Sequence, residues 1–271
     1  QATEELGLPC ILKPRMGSGS RGVVSILNEK DMKKNISQHM KTKGEDDSIV
    51  EKFIQGKEFG IDGIVKNNKF YLVLIREKIM TPLPYRQEIG YFAPTDMKQE
   101  QVNKTKELLA RCCRVLKLDE CIIQADIIIN DMGKPYLIEI AGRPAGLNMS
   151  SFFVPYVTGI DIISEGIKLS LGEDVIIKNS REPKPLVCHF LNLKKGYVVG
   201  LPKREKLLTY NIVDYKININ IGDYIYTVRE GRDILARGFI ATTGSNINEA
   251  LNEANRILNL FLTGGCSQHE L

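Results

Sequence analysis

The period of apolar and polar positions changes repeatedly along the chain, and each change marks an element. Residues 9–14 form a short apolar run that reads as a strand. The stretch Met16-Gly-Ser-Gly-Ser-Arg-Gly22 follows and residues 23–27 read as a second strand, together a hairpin with a glycine-rich tip. Asn28 with Asp31 three residues later is a capping signal for a polar helix to about Lys41. Residues 49–54 predict the next strand, and residues 58–65 and 70–76 predict a hairpin turning at Asn67-Asn68. Residues 81–94, with three prolines, read as irregular, and connections of that length in compact domains are often functional. Val102, Thr105, Leu108, Leu109, Cys112, Val115 and Leu116 recur at helical spacing and predict a core-facing stripe on a helix over 96–116.

The most informative pattern lies between Gln124 and Arg143. Residues 130–134 read as a turn between two β-branched runs, and a hairpin centred between Met132 and Gly133 sets Asp126 directly opposite Glu139. Beyond it, a helix is predicted over 161–171, ended by Gly172, and the polar, proline-bearing stretch 178–185 marks a linker or domain boundary. Residues 186–193, 198–199, 207–221 and 224–240 read as short strands and 248–262 as one amphipathic helix, a small α+β unit.

A chain of 271 residues, 43% hydrophobic, can bury a sizeable core. Its net charge of +4, from 37 basic and 33 acidic residues, supplies no polybasic stripe, so neither a nucleic acid nor an anionic membrane is expected as a partner. The six cysteines show no CxxC spacing and read as reduced thiols of a cytoplasmic protein. No apolar run reaches the roughly 18 residues of a membrane-spanning helix. Because the chain opens on Gln1 and enters structured sequence at once, a native N-terminus lying further upstream is expected.

Opposed carboxylates on one sheet face destabilise it unless they are neutralised. A divalent cation would neutralise Asp126 and Glu139; hard oxygen ligands and the lack of a His/Cys cluster point to Mg²⁺, which takes one or two carboxylates together with substrate phosphates. A solvated hairpin face carrying two ordinary acids is the alternative. Arg143 shares the parity of Glu139, and a guanidinium there suits a transferring phosphoryl group. Lys13 stands at a strand end just before Gly17-Ser18-Gly19-Ser20, whose backbone and hydroxyl donors suit a triphosphate, although the same loop could be a plain turn. It is neither a P-loop nor a dinucleotide fingerprint. The run from Ile49 to Gly60, with Glu51 and Glu58, could hold an adenine edge and ribose hydroxyls or be an exposed strand.

Three motifs in this order, Ile-Leu-Lys-Pro with Gly-Ser-Gly-Ser-Arg-Gly (11–14, 17–22), Val-Glu-Lys-Phe-Ile-Gln-Gly-Lys-Glu (50–58) and Leu-Ile-Glu-Ile-Ala-Gly-Arg (137–143), resemble the ATP-grasp superfamily. Within it they are similar to the carboxylate-amine ligases of the L-amino acid ligase type. The resemblance covers about residues 1–175, and the tail is similar to the C-terminal domain of that branch. It implies an α+β fold: a small lobe (1–54) and a large lobe (55–183) clasping ATP, with a C-terminal α+β domain (184–271). It implies that Lys13 contacts ATP, that Ser18, Gly19 and Ser20 cover its phosphates, that Glu51, Lys52, Phe53 and Ile54 line the adenine hinge, and that Glu58 binds ribose. Asp126 and Glu139 would hold Mg²⁺, with Mn²⁺ as a substitute, and Arg143 would stabilise the transferred phosphate. The family often has Asn two residues after the second metal acid, where this chain has Ala141, and it has a further domain and an ATP-contacting lysine upstream.

The activity implied is ATP-dependent joining of a small carboxylate to an amine through an acyl phosphate, in a monomer or a homodimer. The rivals are carboxyphosphate chemistry on bicarbonate, as in carbamoyl phosphate synthase or biotin carboxylase-like enzymes, and a nucleotide-binding module without catalysis. Arg86, Glu88, Tyr91 and Asn148 are candidates for the substrate pocket.

Overall fold

Two asparagines in the left-handed region, Asn67 at φ 52° and Asn68 at φ 58°, close the hairpin at the centre of the largest sheet, joining Lys66 to its partner Lys69. Two-residue hairpin loops need positive φ at both positions, which Asn tolerates better than most residues. The strands they join are β4 (Lys57–Lys66) and β5 (Lys69–Met80). This computed structural model describes residues 5–17, 19–43, 47–83, 85–178 and 181–264.

Strands β1 (Cys10–Pro14), β2 (Val24–Ile26) and β3 (Ser48–Lys52) form a three-stranded antiparallel sheet in the order β2-β1-β3. Its helix α1 (Glu29–Lys43) starts at the expected cap, where Asn28 Oδ1 accepts the Asp31 N–H at 3.1 Å. Buried His39 of this helix touches the Gly22 carbonyl and the Ser48 hydroxyl, each at 2.7 Å, and so ties the back of the glycine-rich loop to β3.

The large sheet has eight antiparallel strands in the order β11-β13-β9-β6-β5-β4-β7-β8. Besides β4 and β5 these are β6 (Glu88–Ala93), β7 (Cys121–Ile129), β8 (Pro135–Ala141), β9 (Leu186–Phe190), β11 (Ile212–Ile217) and β13 (Gly238–Thr242). A third sheet joins β12 (Tyr224–Ile225), β10 (Gly196–Gly200) and β14 (Leu262–Gly264). The expected division at residue 183 falls within a shared sheet, because β9 beyond it pairs with β6 before it.

Alternation divides the work of β4 and β7 between two faces. Phe59, Ile61, Ala125 and Ile127 point to one side and pack with Leu109 of helix α2 (Gln99–Val115). Residues 58, 60 and 62 and their partners 124, 126 and 128 lie on the other side. Further along that face Ile64 and Ile122 join the main core with Phe153, Val154, Val157, Ile162 and Leu169, which come from a π-helical turn (Met149–Phe153) and the helices α3 (Val154–Thr158) and α4 (Ile162–Ser170). One face thus carries an apolar end and a polar end.

Several sequence expectations are corrected. Residues 88–93 are a strand and not part of an irregular loop: Ile89, Tyr91 and Ala93 are buried, and the flanking prolines hid the run. The turn and helix over 149–158 were missed because Pro155 reads as a breaker, yet proline is tolerated in the first turn. In the C-terminal part, Gly231–Leu235 (α6) is a short helix within a segment expected as strand, and Arg204–Leu207 (α5) is a short helix that runs into the start of another at Leu207. Helix α7 (Ile247–Leu258) ends before β14. Among the described residues no helix is long and apolar enough to cross a membrane.

Candidate functional site

The turn of the acid-bearing hairpin pairs Ile129 with Pro135, which centres it on Met132, one half-step from the expected centre. That register alone would set Asp126 against Ile138 and send Glu139 to the opposite face. A bulge between the pairs Ile127–Leu137 and Asp126–Glu139 absorbs Ile138 and brings the two acids opposite each other. The opposition is as expected; its cause is different.

Lys78, on β5, is the residue that the sequence reading missed. Its side chain is 4% exposed, and its Nζ donates to Asp126 Oδ2 at 2.5 Å and to Glu88 Oε1 at 2.7 Å. Burial pulls the ammonium down, and the charges of Glu88, Asp126 and Glu58 with the hydrogen bond to Asp126 more than reverse this, so Lys78 lies above the usual lysine range. Gln124 Nε2 donates to the other oxygen of Asp126 at 2.9 Å. Burial raises the Glu139 carboxyl and the charge of Asp126 raises it further, while Lys78 and Arg143 pull it back. The signal in the sequence was three consecutive charged residues, Arg76-Glu77-Lys78, enclosed by the apolar positions 70–75 and 79–80.

Arg76 lies beneath this cluster. It crosses Gly60, where a Cβ would come within 2.6 Å of the guanidinium, and pairs with fully buried Asp62. Its guanidinium carbon stands 5.7 Å from the Tyr91 ring centroid. Glycine at position 60 is therefore the space that lets an arginine lie flat between two strands.

The other expected residues fall into two groups. Lys13 Nζ pairs with Glu51 Oε2 at 2.7 Å on the small sheet, and Lys52 is exposed opposite Cys10. Phe53 and Ile54 line a hollow of about 280 Å³ with Asn130, Met132 and Tyr136 of the acid-bearing hairpin. Glu58 accepts from Arg86 Nε at 2.8 Å, and the same guanidinium lies 5.5 Å from the Phe53 ring centroid. Glu58, Arg86 and Lys78 share a recess of about 330 Å³. Arg143 lies past the end of β8 and donates to the Pro144 carbonyl at 2.8 Å. Gly19 and Ser20 are left-handed, at φ 63° and 54°, and Ser18 lies outside the described residues. Of the pocket candidates, Glu88 and Tyr91 belong to the cluster, Arg86 holds Glu58, and Asn148 caps the π-helical turn at φ 59°.

Asp126 and Glu139 are two carboxylates facing each other, one of them already neutralised by an ammonium and the other raised by burial and then by its neighbour. Among the described residues no group of three or more His, Cys, Asp or Glu could close around a metal. The donor set therefore fits a hard cation that completes its shell with phosphate oxygens and water, as Mg²⁺ does.

Fold and cluster together define a small antiparallel lobe beside a large acid-bearing sheet. The ATP-grasp domain family matches over residues 6–151, and the chain belongs to that family. It is 26% identical over 185 residues to D-alanine--D-alanine ligase B of Clostridium perfringens, covering 67% of this chain and 58% of the relative. It is 29% identical over 171 residues to alanine--anticapsin ligase of Bacillus subtilis, covering 55% and 36%. The crystal structure of L-amino acid ligase from Bacillus licheniformis superposes with a TM-score of 0.79 at 18% identity, covering 97% of this chain and 64% of that one. The fold is the ATP-grasp fold, and the chain spans 58% or less of the length of these two relatives.

Proposed function

We propose that this chain carries the nucleotide-binding and phosphoryl-transfer part of an ATP-dependent carboxylate-amine ligase. The observation that carries the reading is the Asp126–Glu139 pair, set opposite by a bulge, with Lys78 bound to Asp126 and the charge of Arg143 reaching Glu139. Phosphoryl transfer needs positioned positive charge more than covalent help from the protein. An Mg²⁺ held by Asp126 and Glu139 would neutralise phosphate charge; Mn²⁺ is a substitute.

Phe53 and Ile54 would receive the adenine and Glu58 the ribose, while Lys13 and the loop bearing Gly19 and Ser20 would cover the phosphates. Lys78 and Arg143 would hold the transferred group in line with the acid. A carboxylate oxygen attacks the γ-phosphorus, the bond to the β-bridging oxygen breaks, and ADP leaves. The amine then attacks the acyl carbon, phosphate departs with the bond pair, and the amine proton is lost to phosphate or solvent. The substrates are a small carboxylate and a small amine, in keeping with the named chemistry of the two ligases it resembles.

ADP release by the full-length protein, measured with amino-acid pairs and with bicarbonate, tests this reading. Release that needs both an acid and an amine supports it. Release that needs bicarbonate alone replaces it with carboxyphosphate chemistry.

A further inference from the structure

The glycine-rich loop is gripped from the far end of the chain. The N–H of Gly231 donates to the Gly19 carbonyl at 2.9 Å. A Cβ at position 231 would lie 2.7 Å from that oxygen and 3.3 Å from the carbonyl carbon and Cα of Gly19, so no other residue fits without moving the loop. Gly231 has no left-handed φ that would itself require glycine. The space requires it, not the backbone. Beside it Glu230 Oε2 lies 3.8 Å from Arg21 Nε, and from the connection just before β6 Gln87 Nε2 reaches the Ser20 carbonyl at 3.5 Å.

We propose that Gly231, with Glu230, is a positioning residue: the C-terminal part of the chain latches the phosphate-covering loop shut, and so keeps water from the phosphoryl donor and from the activated acid. The inference rests on the nucleotide reading given above. The three contacts differ in kind. The Gly231 bond is backbone to backbone, and its strength does not depend on side-chain charge. The Arg21–Glu230 pair is half exposed and contributes little by itself. Gln87 is 1% exposed and is itself fixed by the Tyr85 carbonyl at 2.9 Å, so it offers the loop a rigid second support. His39 holds the opposite end of the loop at Gly22. A loop pinned at Gly22 and latched at Gly19 has one hinge and one catch.

Gly231→Ala in the full-length protein separates this role from a structural one. Position 231 opens helix α6, where alanine is a better helix former than glycine, so the melting temperature is expected to hold or rise. The loop should nevertheless open more often. Tryptic cleavage of the Arg21–Gly22 bond, read by mass, is expected to run about three- to tenfold faster, the shift that loss of one hydrogen bond produces in a closed-open equilibrium. The KM for ATP should rise with it, and ATP hydrolysis without amine should increase relative to ligation. Glu230→Gln, which keeps the shape and the capping oxygen of this partly buried residue and removes only its charge, should shift cleavage in the same direction by less. Mg-ADP supplies the control. If it does not slow cleavage in the wild-type protein, the nucleotide reading fails. If it protects wild type and Gly231→Ala equally, and their rates without nucleotide are the same, the latch is overturned while the nucleotide reading stands.

Discussion

Glu139 faces Asp126 only because one residue, Ile138, is bulged out of the ladder between them. Bulges re-aim side chains at functional sites, and here the consequence is that a second carboxylate enters a cluster in which a buried lysine already neutralises the first. Three acids, Glu88, Asp126 and Glu139, around one ammonium leave room for a further positive charge.

Glu139→Gln keeps the shape and removes one charge. Glu139 has its folded pKa raised above the ordinary 4.5, so the native state holds its proton more tightly than the unfolded chain does. Its contribution is favourable below the unfolded value and is lost as pH rises through the folded one. Without metal, the variant should therefore equal wild type at low pH and become the more stable of the two as pH climbs above about 4.5. Mg²⁺ with nucleotide should reverse that advantage and turnover should collapse. Urea melts across pH, with and without Mg-ADP, check the sign; a variant less stable at every pH would mark Glu139 as a structural acid.

Lys78→Met leaves Glu88 and Asp126 without their shared ammonium. Removing one partner of a buried ion pair costs about 3–5 kcal/mol, and the partial exposure of Glu88 places this case toward the lower end. Chemical denaturation measures it. Turnover should be lost, and Mg²⁺ should restore part of the stability by replacing the missing charge. A loss insensitive to Mg²⁺ would place the metal elsewhere.

Gly60→Ala drives a methyl into the Arg76 guanidinium, which cannot swing aside while it is paired to Asp62. The expected result is a stability loss of a few kcal/mol, up to about 3–5 if the pair breaks. Gly60→Ala combined with Arg76→Met and Asp62→Leu should recover most of it, and stability measured on the triple variant decides whether the pair is the cause.

The sequence disclosed what repeats with a clear period and hid what depends on partners. The hairpin 124–143, the Asn67-Asn68 turn and the helices Gln99–Val115 and Ile162–Ser170 all follow from spacing and turn residues. Lys78 and Arg76 were invisible as site residues because a charge within a strand gains meaning only from the strands beside it, and the pairing of β5 with β6 could not be read across a proline-rich connection. The helices Arg204–Leu207 and Gly231–Leu235 are too short to show a helical period. The bulge at Ile138 leaves no mark in the pattern, since Leu137 and Ile138 are adjacent and both apolar, and the sequence does not say which of them keeps its place in the ladder.

Arg86→Ala frees the Glu58 carboxylate and the Phe53 ring together. If these two receive the nucleoside, the variant should bind ADP more tightly, by about tenfold at most for one charged hydrogen bond, while Glu58→Gln should bind it more weakly. Calorimetric titration distinguishes the cases. Weaker binding by Arg86→Ala would mean that the arginine itself holds the nucleotide.

The most direct test follows the oxygen atoms. With an acid that supports turnover, labelled with ¹⁸O in both carboxylate positions, attack on the γ-phosphorus moves one carboxylate oxygen into the phosphate that is later released, while the other stays in the amide. Mass spectrometry of the phosphate is expected to show one ¹⁸O per phosphate formed, in step with ADP and product. Phosphate carrying only solvent or ATP oxygen, with both labels left on the acid, would contradict ligation through an acyl phosphate.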